Sequence, residues 1–150
     1  NATIKEKFAE AQHAINKEFN HFFRLMFQGG NAQLKVNESG GIEIDCSMPK
    51  KRIGGLAMLS GGEKSLVSIA ALFALISVSP PPFLVLDEID AALDEDNLKR
   101  FSGLIKDFSS KTQFIIVTHN RITMEAADVL YGVTIQENGT SKVLSVKLGH

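Results

Sequence analysis

The chain has 150 residues, 44% of them hydrophobic, which is enough for one core and not for two. Its 16 Lys plus Arg against 17 Asp plus Glu give a net charge of -1, which excludes a uniformly basic nucleic-acid sleeve. The single cysteine, Cys46, excludes an intrachain disulfide framework and points to a reducing compartment. The longest apolar stretch, Leu66 to Val78, is interrupted by Ser68 and Ser77 and reads as too short for a bilayer. The first five residues hold no apolar signal-peptide core. The glycosylation-type triplets Asn37-Glu38-Ser39 and Asn138-Gly139-Thr140 therefore read as chance matches. No Gly-Lys-Ser or Gly-Lys-Thr occurs, so the chain has no phosphate-cradling Walker A loop.

Residues 2–27 read as one helix, because Ile4, Phe8, Ala11, Ile15, Phe22 and Met26 recur at helical steps between Glu and Lys residues. Phe19 breaks a strict heptad. Gly29-Gly30 supplies a C-terminal stop. Such a helix needs a partner for its apolar stripe. It fits either a long core helix or the last turns of a coiled coil entering a globular head, and the pattern leaves both open.

Residues 32–46 predict a β-hairpin, with Leu34 and Val36 alternating before the turn Asn37–Gly41 and Ile42, Ile44 and Cys46 alternating after it. Lys50-Lys51-Arg52 follows on a loop near Pro49 and Gly54-Gly55, as a solvated surface or a contact to DNA or a partner. Residues 63–77 predict a helix apolar nearly all round, hence buried, and Pro80-Pro81-Pro82 stops it. The run Phe83–Leu86 has the look of a strand covered on both faces. A helix with Leu98, Phe101, Ile105 and Phe108 on one stripe follows, and Phe114–Val117 is a second buried strand. A short helix over 122–127, a strand over 129–135 and a returning strand over 141–148 complete the chain. Strand, helix, strand with buried strands predicts an α/β fold with a parallel sheet.

Four motifs fall at strand ends or helix starts. Leu59-Ser60-Gly61-Gly62-Glu63 leads into the buried helix. Its glycines permit close backbone approach to a phosphate, and a helix N-terminus attracts anions. An ordinary capping box of Ser60 with Glu63 explains the same residues. Asp87 and Glu88 end the first buried strand, at the sheet edge where ligands bind in open α/β folds. Asp87 suits Mg²⁺, and Glu88 suits a general base acting on water. Solvated loop acids are the plainer explanation. Thr118-His119-Asn120 ends the second strand, where His119 can donate a hydrogen bond to a phosphate or to water, or serve only structure. Asp94 can reach a neighbouring site or cap the next helix.

Taken together, these residues resemble the ATP-binding-cassette superfamily. Leu59–Glu63 is similar to its signature motif, Phe83–Glu88 to its Walker B, Ala92-Leu93-Asp94 to its D-loop and His119 to its switch histidine. Within that superfamily, Asp87-Glu88-Ile89-Asp90-Ala91-Ala92-Leu93-Asp94 resembles the form in bacterial SMC (structural maintenance of chromosomes) proteins. Pro82-Phe83, Phe101 and Tyr131-Gly132-Val133-Thr134 add to the likeness.

The resemblance implies an ABC-type ATPase head, C-terminal lobe, with a largely parallel sheet, flanking helices and β-hairpins. Residues 1–28 would be the end of a coiled-coil arm and 29–150 the C-terminal half of the head. The N-terminal half of the same head would supply Walker A. ATP and Mg²⁺ are the implied cofactors. Glu88 and His119 would be catalytic, Asp87 would hold the metal, and Ser60, Gly61, Gly62, Glu63 and Asp94 would contact nucleotide. Ser60 and the Gly61-Gly62 backbone would serve the site of a second head, with Asp94 near the dimer interface. The implied partners are that second head, a kleisin subunit and DNA, with no membrane, in the cytoplasm at the nucleoid. The implied function is ATP hydrolysis that drives chromosome condensation and segregation. The alternatives are a DNA double-strand-break repair or recombination ATPase of the same superfamily, or a non-enzymatic interaction module.

Overall fold

The computed structural model describes residues 2–49 and 56–149, with side chains described from residue 6 onward. The basic triplet Lys50-Lys51-Arg52 and the Gly54-Gly55 pair lie outside the described residues.

Helix α1 (Ala2–Phe27) matches the periodicity of its apolar residues. Its final turns bury Phe19, Phe22, Phe23 and Met26, whereas Phe8 is 54% exposed. The helix is therefore core at one end and uncovered at the other. It closes in a Schellman arrangement, with the Gly29 N–H bonded to the Arg24 carbonyl at 3.0 Å. The reversing left-handed residue is Gln28 (φ 58°), one position before the glycines that mark the stop in the sequence. Gly30 is also left-handed (φ 77°), and a Cβ there would lie 2.3 Å from the Ser47 carbonyl oxygen.

Strands β1 (Asn31–Val36) and β2 (Ile42–Ser47) form the expected antiparallel hairpin, with Leu34 opposite Ile44. The other edge of β1 is held by α1. Asn20 Oδ1 accepts the Ala32 N–H at 3.0 Å. Asn16 Oδ1 accepts the Leu34 N–H at 2.6 Å, while Asn16 Nδ2 donates to the Leu34 carbonyl at 3.0 Å. Two asparagines one helical turn apart thus satisfy backbone groups that a strand edge leaves open.

Helix α2 (Gly61–Val78) crosses α1 and buries Leu66, Val67, Ile69, Ala70, Phe73, Ala74 and Ile76. By length and composition it could cross a membrane, which the interrupted stretch Leu66–Val78 did not suggest. Those seven residues make it a core helix of this fold. It is not buried all round, since Leu75 is about half-exposed. Phe22 of α1, Phe73 of α2 and Phe108 form a ring cluster with centroids 5.3 to 6.0 Å apart, joined by Phe101 at 6.2 Å from Phe73.

Strand β3 (Phe83–Asp87), helix α3 (Glu95–Phe108) and strand β4 (Gln113–Val117) form the parallel unit, with Val85 opposite Ile115 and Asp87 opposite Val117. The expectation of strands covered on both faces is corrected here. Leu84, Leu86, Phe114 and Ile116 turn towards the helices, but Phe83, Val85, Ile115 and Val117 are 48% to 58% exposed. The sequence run is apolar for two covers, and these residues supply one.

Helix α4 (Arg121–Glu125) leads to a second hairpin of β5 (Val129–Ile135) and β6 (Ser141–Lys147). Tyr131, Val133, Ile135, Val143, Leu144 and Val146 are all more than half exposed. Among the described residues, β4 pairs only with β3 and β5 only with β6. A cavity of about 860 Å³ lies between these two unpaired edges, walled by Ile105, Phe114, Ile116, Val129 and Leu130 among others.

Candidate active site

The ends of β3 and β4 bring two of the expected residues together. Glu88 directly follows β3, and its N–H donates to the Val117 carbonyl at 2.9 Å, extending the ladder by one bond. Glu88 then turns into the left-handed region (φ 48°), which is unusual for a glutamate. Such backbone costs roughly 1–3 kcal/mol and gathers at functional sites. Its Oε1 comes within 4.0 Å of His119 Nδ1, and both side chains are well exposed. Asp87, on the last rung of β3, is also exposed.

The loop after Glu88 is wound tightly. The Ala91 N–H bonds to the Glu88 carbonyl and the Leu93 N–H to the Asp90 carbonyl, each at 3.1 Å. Asp94 then caps α3, its Oδ1 accepting the Asn97 N–H at 2.9 Å. Asp94 is exposed, so capping occupies one oxygen without burying the side chain.

The signature-like segment is a helix start. Ser60 Oγ accepts the Glu63 N–H at 3.3 Å, and Glu63 Oε2 accepts the Ser60 N–H at 2.8 Å. This reciprocal capping box gives Ser60 and Glu63 the structural role that the sequence also allowed. Ser60 and Gly61 stay exposed, and a Cβ on Gly61 would meet nothing within 4 Å. Gly62 is different, since a Cβ there would sit 3.2 Å from the Ala92 carbonyl. The helix start and the loop 88–94 therefore touch, and the glycine is what lets them.

The structure also singles out a residue for which the motifs gave no role. Asp90 is fully buried. Its Oδ2 accepts the Thr118 hydroxyl at 2.7 Å and also the Thr123 hydroxyl. Its backbone carbonyl accepts from Asn120 Nδ2 at 3.3 Å. The available signal was an acid set among apolar neighbours, Ile89, Ala91 and Ala92.

No group of three or more His, Cys, Asp or Glu residues is arranged to enclose a metal among the described residues. A single exposed carboxylate at a strand end suits Mg²⁺, which keeps several waters and takes phosphate oxygens.

Comparisons with known proteins agree on one family. Residues 1–142 match the family model described as RecF/RecN/SMC N terminal domain. The chain is similar to the chromosome partition protein Smc of Bacillus subtilis, at 49% identity over 150 residues, covering 97% of this chain and 13% of that protein. Among solved structures it is similar to an SMC head bound to the C-winged helix domain of ScpA, with a TM-score of 0.88 and 38% identity, covering 96% of this chain and 46% of that one. A chain from work on ATP-driven dimerization and DNA-stimulated activation of SMC ATPases gives a TM-score of 0.85 at 38% identity, covering 95% of this chain and 89% of that one. The chain thus spans about an eighth of the length of the curated relatives it matches.

Proposed function

The chain belongs to the SMC family of chromosome-partition ATPase heads, with their ABC-type fold, and on that premise we propose that it is the C-terminal half of a head that hydrolyses ATP between two engaged heads. The turnover would drive chromosome condensation and segregation. The observation that carries this reading is the pairing of Glu88 and His119 at adjacent strand ends, with Asp87 one residue away.

The missing half of the site would come from the N-terminal half of the same head. The unpaired edges of β4 and β5, with the cavity that both strands line, would receive a strand from that half. The open apolar face of Phe83, Val85, Ile115 and Val117 would be covered in the same step. Residues 1–28 would be the end of the coiled-coil arm, in keeping with the exposed Phe8 at one end of α1 and the buried phenylalanines at the other.

Asp87 would hold Mg²⁺, which supplies charge neutralisation to the phosphates when bound. Glu88 would accept a proton from the attacking water, oriented by its constrained backbone. His119 would donate a hydrogen bond at the same place. Ser60 and the Gly61 and Gly62 backbone would face the nucleotide of a second head, supported by the exposed and unobstructed position of Gly61. Glu63 would contribute through the helix start it caps, and Asp94 from the edge of the loop. We extend the partners to a kleisin subunit, by analogy with the ScpA-bound head, and to DNA. The expected location is the cytoplasm, at the nucleoid.

The test is ATP turnover by this segment combined with the N-terminal segment of the same parent protein. Magnesium-dependent turnover that disappears in Glu88→Gln supports the reading. Turnover absent from the combined wild-type segments would favour a non-enzymatic module and sink it.

A further inference from the structure

We propose that Asp90 is a positioning residue that holds the Glu88 loop and the His119 loop as one unit, and so acts on turnover through His119. The inference rests on the ATPase reading above.

A carboxylate shut away from water is costly unless its oxygens are paired. Asp90 is fully buried and satisfies only half of that demand. Oδ2 takes both threonine hydroxyls, while Oδ1 has no hydrogen-bond partner among the described residues. The residues that Oδ2 holds are informative. Thr118 precedes His119, and its hydroxyl oxygen in turn accepts the Asn120 N–H at 3.0 Å. Asn120 follows His119, and its side chain donates to the Asp90 carbonyl. Both chain neighbours of His119 are therefore tied to one residue. Thr123 ties the short helix α4 to the same oxygen.

The other end of the unit is Glu88, two residues before Asp90, within a loop closed by the Ala91 N–H to Glu88 carbonyl bond. Glu88 and His119 are both exposed, and the 4.0 Å between them is longer than a hydrogen bond. Their separation is fixed by the backbone that carries them, and Asp90 is the buried tie between the two backbones. Loss of the tie should leave nucleotide affinity intact and loosen the geometry that turnover needs.

The experiment is steady-state ATP hydrolysis by the full-length protein carrying Asp90→Ala, alone and with His119→Ala. We expect Asp90→Ala to lower kcat by about tenfold or more with KM for ATP within about threefold, and to add less than twofold to His119→Ala. Asp90→Asn, whose amide oxygen can accept the same two hydroxyls, should recover most of the loss. Thr118→Ser should behave as wild type, and Thr118→Val should resemble Asp90→Ala. The Thr118 pair decides the matter if Asp90→Ala fails to fold or if His119→Ala is too slow to read.

An Asp90→Ala penalty that is the same with and without His119, a change confined to KM, or equal activity of Thr118→Val and Thr118→Ser would overturn the positioning role. Those results would leave the site reading standing. That reading fails separately, if Glu88→Gln turns over as wild type.

Discussion

Glu88 Oε1 and His119 Nδ1 lie 4.0 Å apart, carried by residues that directly follow β3 and closely follow β4. The Glu88 N–H to Val117 carbonyl bond sets this relation, because it continues the parallel ladder one residue past Asp87. A side chain so placed is exposed at the sheet edge and also held on a constrained backbone. Glu88→Gln keeps the shape and removes the proton acceptor. In the reconstituted head we expect turnover to fall by two to four orders of magnitude. ATP binding should persist and head association should outlast that of the wild type. Radiolabelled phosphate release and sedimentation velocity measure the two effects, and unchanged release would remove Glu88 from the role of base.

In the proposed reading Ser60 would bear on association with a second head rather than on binding within its own. Its side chain caps α2 on one side and is exposed on the other. An arginine there would lose the cap, a cost of about 1 kcal/mol, and place a bulky cation where a second head would approach. Ser60→Arg in the reconstituted head should leave nucleotide binding within about threefold and prevent ATP-dependent dimerisation. Dimers of normal strength in sedimentation would contradict the sandwich arrangement. A threonine at the same position retains the cap and should dimerise.

In the proposed reading the N-terminal segment would complete the open edges of β4 and β5. Among the described residues each strand has a single strand partner, and apolar side chains from both line the cavity. We expect the isolated chain to bind ATP poorly and to gain thermal stability on addition of the N-terminal segment. Amide exchange should slow most at residues 113–117 and 129–132, on those edges. Tight ATP binding by the isolated chain, or protection that appears elsewhere, would count against the split-site arrangement.

Much of this was legible because local chemistry and tertiary fold agree. Ser60 with Glu63 marked the start of α2, Asp94 that of α3, and Asn37–Gly41 the first turn, all through short-range hydrogen bonds that sequence spacing encodes. The run Phe83–Leu86 announced a strand but not its cover, because an apolar run does not say which faces are packed, and the helices here cover one. Asp90 is legible only in part. Its apolar neighbours Ile89, Ala91 and Ala92 hint at burial, but its partners, Thr118 and Thr123, are about thirty residues away and no local spacing announces them. The clasp of Asn16 and Asn20 on β1 is non-local in the same way.

Gly30 offers a test of the joint between α1 and β1 that involves no catalysis. Two penalties meet there. Its φ of 77° is left-handed, and an added Cβ would strike the Ser47 carbonyl at 2.3 Å and the Phe23 ring at 3.0 Å. Gly40 has nearly the same φ, 82°, but open space around a Cβ. Gly40→Ala should therefore cost only the conformational part, about 1–2 kcal/mol. Gly30→Ala should cost that and a further 1–3 kcal/mol, roughly, since backbone oxygen and a packed ring cannot both give way. Urea unfolding of the head carrying each variant separates the two contributions. Equal losses would mean that the contact with Ser47 relaxes freely and that the joint is looser than its geometry implies.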